Sequence, residues 1–544
     1  MDSYIKEKLL ASAKAMRASA SGGTGPDIVI IVNSTPQQAE FWQSHLTGED
    51  NIHGSAAAVK ASSVVLSVTE SNWKGGAGNA LGTLNGFLQA ARKARKLGLI
   101  NVSSGAEADE LIDVFLAYSS EKSVFMYHTA GKGTRIAPLP AAECNSKPNI
   151  KLAKMIKDAG EMRSLTILEA VLMETSIYAP SRKNRLSVFW GDQVIINELD
   201  ISCKGKHHIE IFGELLPLTK GIKDYGILIP LEGGECRQRE KLSMEEVRSL
   251  LPEGEERVYK SIGSFTVSIE FLKALLDEPC HKEYLAKEEG SLNTDPDWWQ
   301  PLTSKRQEYI KAMEEKKVSK IDASSRWDKM NDMWQGFSSS GAFKSSGLTH
   351  KLGFTDVGGN SLWWDYGQNL YYLENMQLVA AHSEEGALAR AFFGIREDEW
   401  IDETSGVGRA EVKDSVVLSS RIEGGRLEKC LVINSCLKNV TATGAIIVDS
   451  TVLDLNAEDA LCYNVADRTV RLDKGKVLVN VFHPDKGRIP MMTDVYRDGK
   501  SDWESGERIY DNAYTYPQIA ELMKETSIDA SEKVKQEEIE KLKQ

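Results

Sequence analysis

The stretch "SVFMYHTAGKGTRIAP", residues 123 to 138, decides the fold. Ser123-Val124-Phe125-Met126-Tyr127 is a short apolar run, and the glycine-rich turn Ala130-Gly131-Lys132-Gly133-Thr134-Arg135 follows it closely. A buried strand that feeds such a turn presents backbone N–H groups to an anion at the carboxyl end of a sheet. A Walker A loop needs Lys followed by Ser or Thr after its last glycine. Here Lys132 is followed by Gly133, so that reading fails on spacing.

Working outward, strands and helices alternate. "DIVIIVN" reads as a buried parallel strand with "TPQQAEFWQSHL" as the helix behind it. "SSVVLSVTE" (62–70) reads as a second strand, and "NWKGGAGNALGTLNGFLQAARKARKLG" as a glycine-rich loop running into a helix. Beyond the turn, "SLTILEAVLMETSIYA" has helical apolar spacing, and "RLSVFWGDQVII" is a strand that reaches Gly191-Asp192-Gln193. The pattern predicts an α/β fold with a Rossmann-like, mostly parallel mixed sheet, and places Asp192 at a strand end where ligands bind.

From about residue 410 the texture changes to short β-branched steps, with Ser415, Ser435 and Ser450 each leading a new apolar pair. That interval predicts a C-terminal parallel β-helix of the hexapeptide type, left-handed; an antiparallel β-sandwich is the alternative. The expected domains are an N-terminal helix and linker (1–26), a catalytic domain (27–400) with a charged, Trp-bearing helical insertion or lid at about 280–345, the β-helix (401–510), and a terminal helix and solvated tail (511–544).

The chain has 544 residues, 41% hydrophobic and 27% charged, which suits several ordinary globular domains. A net charge of -13 argues against a nucleic-acid or membrane-surface partner, so phosphate must be handled locally. The seven cysteines are odd in number and never spaced CxxC, which disfavours a disulfide frame or zinc knuckle. No apolar run has the length of a membrane span, and the expectation is a cytoplasmic protein.

The stretch continues "IAPLPAAECNSKPNIKL". Gly131, Gly133, Thr134, Arg135, Pro138, Lys147 and Pro148 together resemble the signature of sugar-1-phosphate nucleotidylyltransferases. The roles fit: the turn wraps triphosphate oxygens, Arg135 pairs with the leaving pyrophosphate, and Lys147 neutralises the transferred phosphoryl group. The Arg135-to-Lys147 gap is longer than in most relatives, which leaves Lys151 as a substitute for Lys147. By resemblance, Asp192 and Asp365 (in Trp-Trp-Asp-Tyr-Gly) hold Mg²⁺. The sugar side resembles the family at Gly226, at Glu240-Lys241, where Leu242 replaces the family's proline, and around Gly263. His128 and His483 read as structural, and the tryptophan pairs Trp298-Trp299 and Trp363-Trp364 as core.

In the family the glycine-rich strand comes first, and a later loop containing Leu-Gly-Thr meets the nucleobase. Here Leu81-Gly82-Thr83 precedes the turn. The resemblance therefore implies a GT-A-like nucleotidyltransferase core with permuted strand order, as in GDP-fucose pyrophosphorylase-like proteins. The strand ending at Tyr127 is then expected between the strand of Ile28 to Val32 and the strand leading to Asp192, with Gly82 facing the same cleft as Arg135.

The implied activity is Mg²⁺-dependent joining of a sugar 1-phosphate to an NTP, giving an NDP-sugar and pyrophosphate. The wording of the turn favours UTP, and glucose 1-phosphate by frequency. The alternatives are a GTP-using fucose-1-phosphate guanylyltransferase-like enzyme and a non-catalytic regulatory relative. A metal-dependent glycosyltransferase is disfavoured because Gly-Asp-Gln-Val stands where an Asp-x-Asp motif belongs. A homo-oligomer through the β-helix is a further expectation.

Overall fold

The computed structural model of the chain describes residues 2–21, 23–55, 58–71, 78–158, 161–198, 206–218, 225–240, 242–279, 281–282, 298–396 and 400–544. Among the described residues, thirteen strands precede the C-terminal coils. They are β1 (Ile28–Asn33), β2 (Val64–Thr69), β3 (Ser123–His128), β4 (Lys151–Asp158), β5 (Glu161–Thr166), β6 (Arg185–Trp190), β7 (Gln193–Ile196), β8 (His207–Leu216), β9 (Gly226–Pro230), β10 (Cys236–Glu240), β11 (Val258–Ser268), β12 (His350–Asp356) and β13 (Leu362–Asp365).

The main sheet runs β10-β9-β11-β6-β3-β1-β2, and β8 joins β11 to β12. Strands β2, β1, β3 and β6 are mutually parallel, and β11 adds to β6 in the antiparallel sense. The strand ending at Tyr127 therefore lies between the strand of Ile28 and the strand that leads to Asp192, as expected. The continuous apolar runs are explained by burial on both faces. Val29, Ile31, Phe125 and Tyr127 point into one core, while Ile28, Ile30, Val32, Val124 and Met126 point into the other.

Helices cover both faces. Helix α1 (Ser3–Ser21) sinks Leu9, Ala13 and Met16 into the first core, against the helix Glu384–Phe393. Helix α2 (Pro36–Leu46) is started by Thr35, whose hydroxyl accepts from Gln38 N, and by proline at its first position. Helix α3 (Gly78–Lys96) lines the other face with Leu81, Leu84, Phe87 and Leu88. The insertion expected as a lid is part of the core: Trp298, Trp299, Leu302, Met330, Trp334 and Phe337 belong to the same cluster as the sheet, and Phe265 meets both Trp298 and Trp299 edge-on.

After residue 405 the chain winds in coils of constant length. Val416 pairs with Leu431, Leu431 with Ile446 and Ile446 with Leu461, all in parallel. This parallel pairing excludes the antiparallel sandwich. The serines form a ladder: Ser420 Oγ accepts from Ser435 N, Ser435 Oγ from Ser450 N, and Ser450 Oγ from Val465 N, each at 3.0 Å. The corners are turned by residues such as Asn434 and Asp449, which tolerate positive φ. An antiparallel hairpin of Lys476–His483 and Gly487–Asp494 ends the stack. The chain then returns to the N-terminal sheet domain: Tyr516, Ile519 and Met523 share a small core with Ala137, Ala141 and Met491. No helix among the described residues is long and apolar enough to cross a membrane.

Candidate functional site

The carboxyl ends of the parallel strands open into a cavity of about 430 Å³. Its lining includes Ala130, Gly131, Lys132, Gly133, Thr134 and Arg135 from the turn, Lys147 and Pro148, the Trp190-Gly191-Asp192 corner, Gly367, and Glu70 with Gly78 and Asn79. Thr129 anchors the start of the turn by donating through Oγ1 to Val32 O at 2.7 Å. Gly133 has φ +64°, and a Cβ there would come within 2.8 Å of Pro140 and 3.3 Å of Lys147 Cβ. Only glycine lets the turn close so tightly over the lysine that follows.

Four of the expected side chains converge on one point. A Cβ built on Gly367 would lie 2.8 Å from Asp365 Oδ1, 3.4 Å from Asp192 Oδ2 and 3.4 Å from Arg135 Nη2. Lys147 donates to Asp192 Oδ2. The strands explain the meeting: β13 pairs with β7 so that Asp365 faces Gln193, next to Asp192, and Tyr366 N donates to Asp192 O at 3.0 Å. Burial, and then the Asp192 charge, push the Asp365 carboxyl up from its ordinary value. Two acceptor-only carboxylates aimed at one point, one of them disfavoured as an anion by the other, fit a hard divalent cation that also takes phosphate oxygens. Among the described residues no cluster of three or more His, Cys, Asp or Glu could hold a metal by itself.

Lys151 is not a substitute for Lys147. Its ammonium turns away and donates to Glu143 Oε2 at 2.7 Å, beside Tyr463 of the coil domain, which donates to the same carboxylate. Lys147 lines the cavity and Lys151 ties the two halves of the molecule together.

The Leu81-Gly82-Thr83 loop is corrected. These residues lie inside α3, where Leu81 packs in the core and Thr83 Oγ1 meets His128 Nε2 at 3.0 Å. Leu81, Leu84 and Leu88 recur at helical spacing, and that periodicity overrides the loop reading. The cavity is lined instead by Gly78 and Asn79, while Gly82 sits just behind it: a Cβ there would be 3.7 Å from His128 Cε1 and 3.9 Å from Glu70 Oε2. His128 is half-buried beside the cavity, and desolvation lowers its imidazole to about 4.

On the sugar side, Lys241 lies outside the described residues. Gly226 pairs with Glu240 across β9 and β10, and a Cβ on Gly226 would meet Glu240 Oε1 at 2.7 Å. Gly263, at φ +85°, lies flat against the Trp190 indole, which lines the cavity. Between them is a cation that the sequence reading missed: Lys260 bonds Glu214 at 2.6 Å and lies 4.4 Å from the Trp363 ring and 5.0 Å from the Tyr225 ring. Trp363 is two residues from Asp365 on β13, so both side chains leave the same face of that strand.

One further contact bears on the turn. Gly499 opens the helix Gly499–Ser505, and a Cβ there would lie 2.7 Å from Thr134 O and 2.9 Å from Arg135 O. The segment after the coils thus braces the backbone that carries Arg135.

No protein-family model and no curated protein matches the chain. Among solved structures it is similar to the crystal structure of mannose-1-phosphate geranyltransferase from Thermus thermophilus, with 15% identity, 60% of this chain and 90% of that chain covered, and a TM-score of 0.23. A likeness of that size carries no argument about activity.

Proposed function

We propose that the protein is a nucleotidylyltransferase that joins a sugar 1-phosphate to a nucleoside triphosphate. The observation that carries this reading is the convergence of Arg135, Lys147, Asp192 and Asp365 at Gly367, on the rim of a cavity floored by a glycine-rich turn. The turn's N–H groups hold the triphosphate, and Arg135 takes the charge of the departing pyrophosphate. A phosphate oxygen of the sugar 1-phosphate forms a bond to the α-phosphorus, and the bond from that phosphorus to the bridging oxygen breaks in line. Lys147 neutralises the α-phosphoryl oxygens as charge spreads over them. Asp192 and Asp365 would hold Mg²⁺, which supplies charge neutralisation to the phosphates when bound.

The sugar phosphate enters from the Trp190 side, toward Gly226, Glu240 and Gly263, and Lys260 is a cation on that approach. We read the strand order as the permuted form of the nucleotidyltransferase sheet and the coils as a left-handed β-helix, a surface through which copies of the chain would associate. The wording of the turn favours UTP and the strand order GTP, so the choice falls to the base end of the cavity. Asp192→Ala and Asp365→Ala test the reading: each should abolish Mg²⁺-dependent turnover with an unchanged melting temperature, and near-normal turnover in either refutes it.

A further inference from the structure

Glu70 is the feature of this cavity that phosphate chemistry does not use. It follows β2 directly, lines the cavity, and among the described residues no side chain bonds or pairs with its carboxylate. A carboxylate is no partner for a triphosphate, and its place in the sheet puts it elsewhere along the ligand. Asp192 follows β6, the turn follows β3, and Glu70 follows β2, with β1 between the last two. At roughly 4.8 Å per strand, the backbone at Glu70 stands about 10 Å from the backbone of the strand that feeds the turn and about 14 Å from that of the strand that feeds Asp192, and its carboxylate reaches inward to the far side of Gly82 from the His128 ring. That spacing is the reach of a nucleoside from its α-phosphate to the edge of its base. Among the described residues, those around Glu70 are His128 and the helix entry at Gly78, neither of which brings a charged side chain to it.

Resting on the proposed nucleotidyl transfer, we infer that Glu70 reads the base, and that the base is guanine. An ionised carboxylate offers two acceptor oxygens and no donor. Guanine alone presents two adjacent donors, N1–H and the 2-amino group, to such a pair. Uracil offers a single N–H flanked by two carbonyl oxygens that repel the carboxylate. In adenine and cytosine the amino group adjoins a ring lone pair, with the same result. Selection therefore comes as much from repulsion of the wrong bases as from attraction of the right one. Partial burial pushes the Glu70 carboxyl up to about 7, and two ligand N–H donors would draw it back down by stabilising the anion.

The test is calorimetric binding of GTP, ITP and UTP, each with Mg²⁺, to the full chain and to Glu70→Gln. ITP lacks only the 2-amino group. The wild type should bind GTP about 10- to 100-fold more tightly than ITP or UTP, the range for a hydrogen bond to a charged group. Glu70→Gln should narrow the GTP:ITP ratio to a few-fold while its melting temperature stays within a few degrees. Equal or tighter binding of UTP by the wild type overturns the guanine assignment alone, even if the variant does not fold. An unchanged GTP:ITP ratio in a folded variant overturns the role of Glu70. Binding of no triphosphate at all overturns the nucleotidyl-transfer reading as well.

Discussion

Lys147 and Asp192 are joined by a salt bridge across the mouth of the cavity, although they come from different strand connections. The lysine that follows the glycine-rich turn is thereby held over the carboxylate at the end of β6. Were Asp192 to hold the proposed metal, the Lys147 ammonium would be released from it and left to pair with a phosphate.

Lys147 and Lys151 therefore separate by readout. Lys147→Met should lower kcat about 100-fold or more with little change in melting temperature, because its charge acts in the transition state. Lys151→Met should cost about 3 kcal/mol of stability by leaving Glu143 buried without its cation, and should spare kcat in the folded fraction. Steady-state kinetics beside urea unfolding of both variants checks this, and exchanged phenotypes would reverse the assignment.

The brace at Gly499 should be felt in the chemistry. Gly499→Ala places a methyl group against Thr134 O and Arg135 O, and the backbone under Arg135 must shift. Displacing a positioned group by a fraction of an ångström to 1 Å costs about 10- to 100-fold in kcat. Wild-type kinetics in a folded Gly499→Ala protein would remove the brace from the account.

A pH test lies beneath the site. Burial pushes the Glu174 carboxyl up to about 8, while it accepts from the Tyr178 hydroxyl. Between about pH 4.5 and 8 the unfolded chain releases this proton and the folded chain keeps it, so the group's contribution to stability falls as pH rises. Glu174→Gln, which never ionises, should match the wild type near pH 4.5 and exceed it by roughly 2–4 kcal/mol at pH 8. Urea midpoints at the two pH values decide it, and parallel pH profiles would contradict the burial argument.

The serine ladder of the coils gives a stability test remote from the cavity. Ser435→Ala removes the acceptor of Ser450 N and leaves that N–H buried, at a cost of about 1–3 kcal/mol. An unfolding midpoint unchanged from wild type would mean that the ladder contributes nothing.

What was legible in the sequence follows from which residues carry a pattern. Arg135, Lys147, Asp192 and Asp365 could be picked out because their types and order resemble a family signature, and the structure gathers them at Gly367. Serines leading apolar pairs foretold the coils because a side chain that bonds the next turn must recur with the turn. Leu81-Gly82-Thr83 misled because a glycine-bearing triplet read as a loop is, in fact, a helical turn whose leucines recur three and then four residues apart. Glu70 and Lys260 were missed because a lone charged residue at or within a strand has no spacing to betray it. Lys147 and Lys151 could not be told apart, since four residues separate them and only the packing of Glu143 against Tyr463 assigns Lys151 to the interface. The return of Gly499 and Tyr516 to the turn depends on three-dimensional closeness between distant segments, which no local pattern encodes.

The most direct measurement of the central claim is pyrophosphorolysis. The full chain, Mg²⁺ and pyrophosphate are incubated with a panel of GDP-, UDP- and ADP-sugars, and released triphosphate is quantified by ion-exchange chromatography. Release of a nucleoside triphosphate together with an equal amount of sugar 1-phosphate is the predicted result, and release from no member of the panel would contradict it.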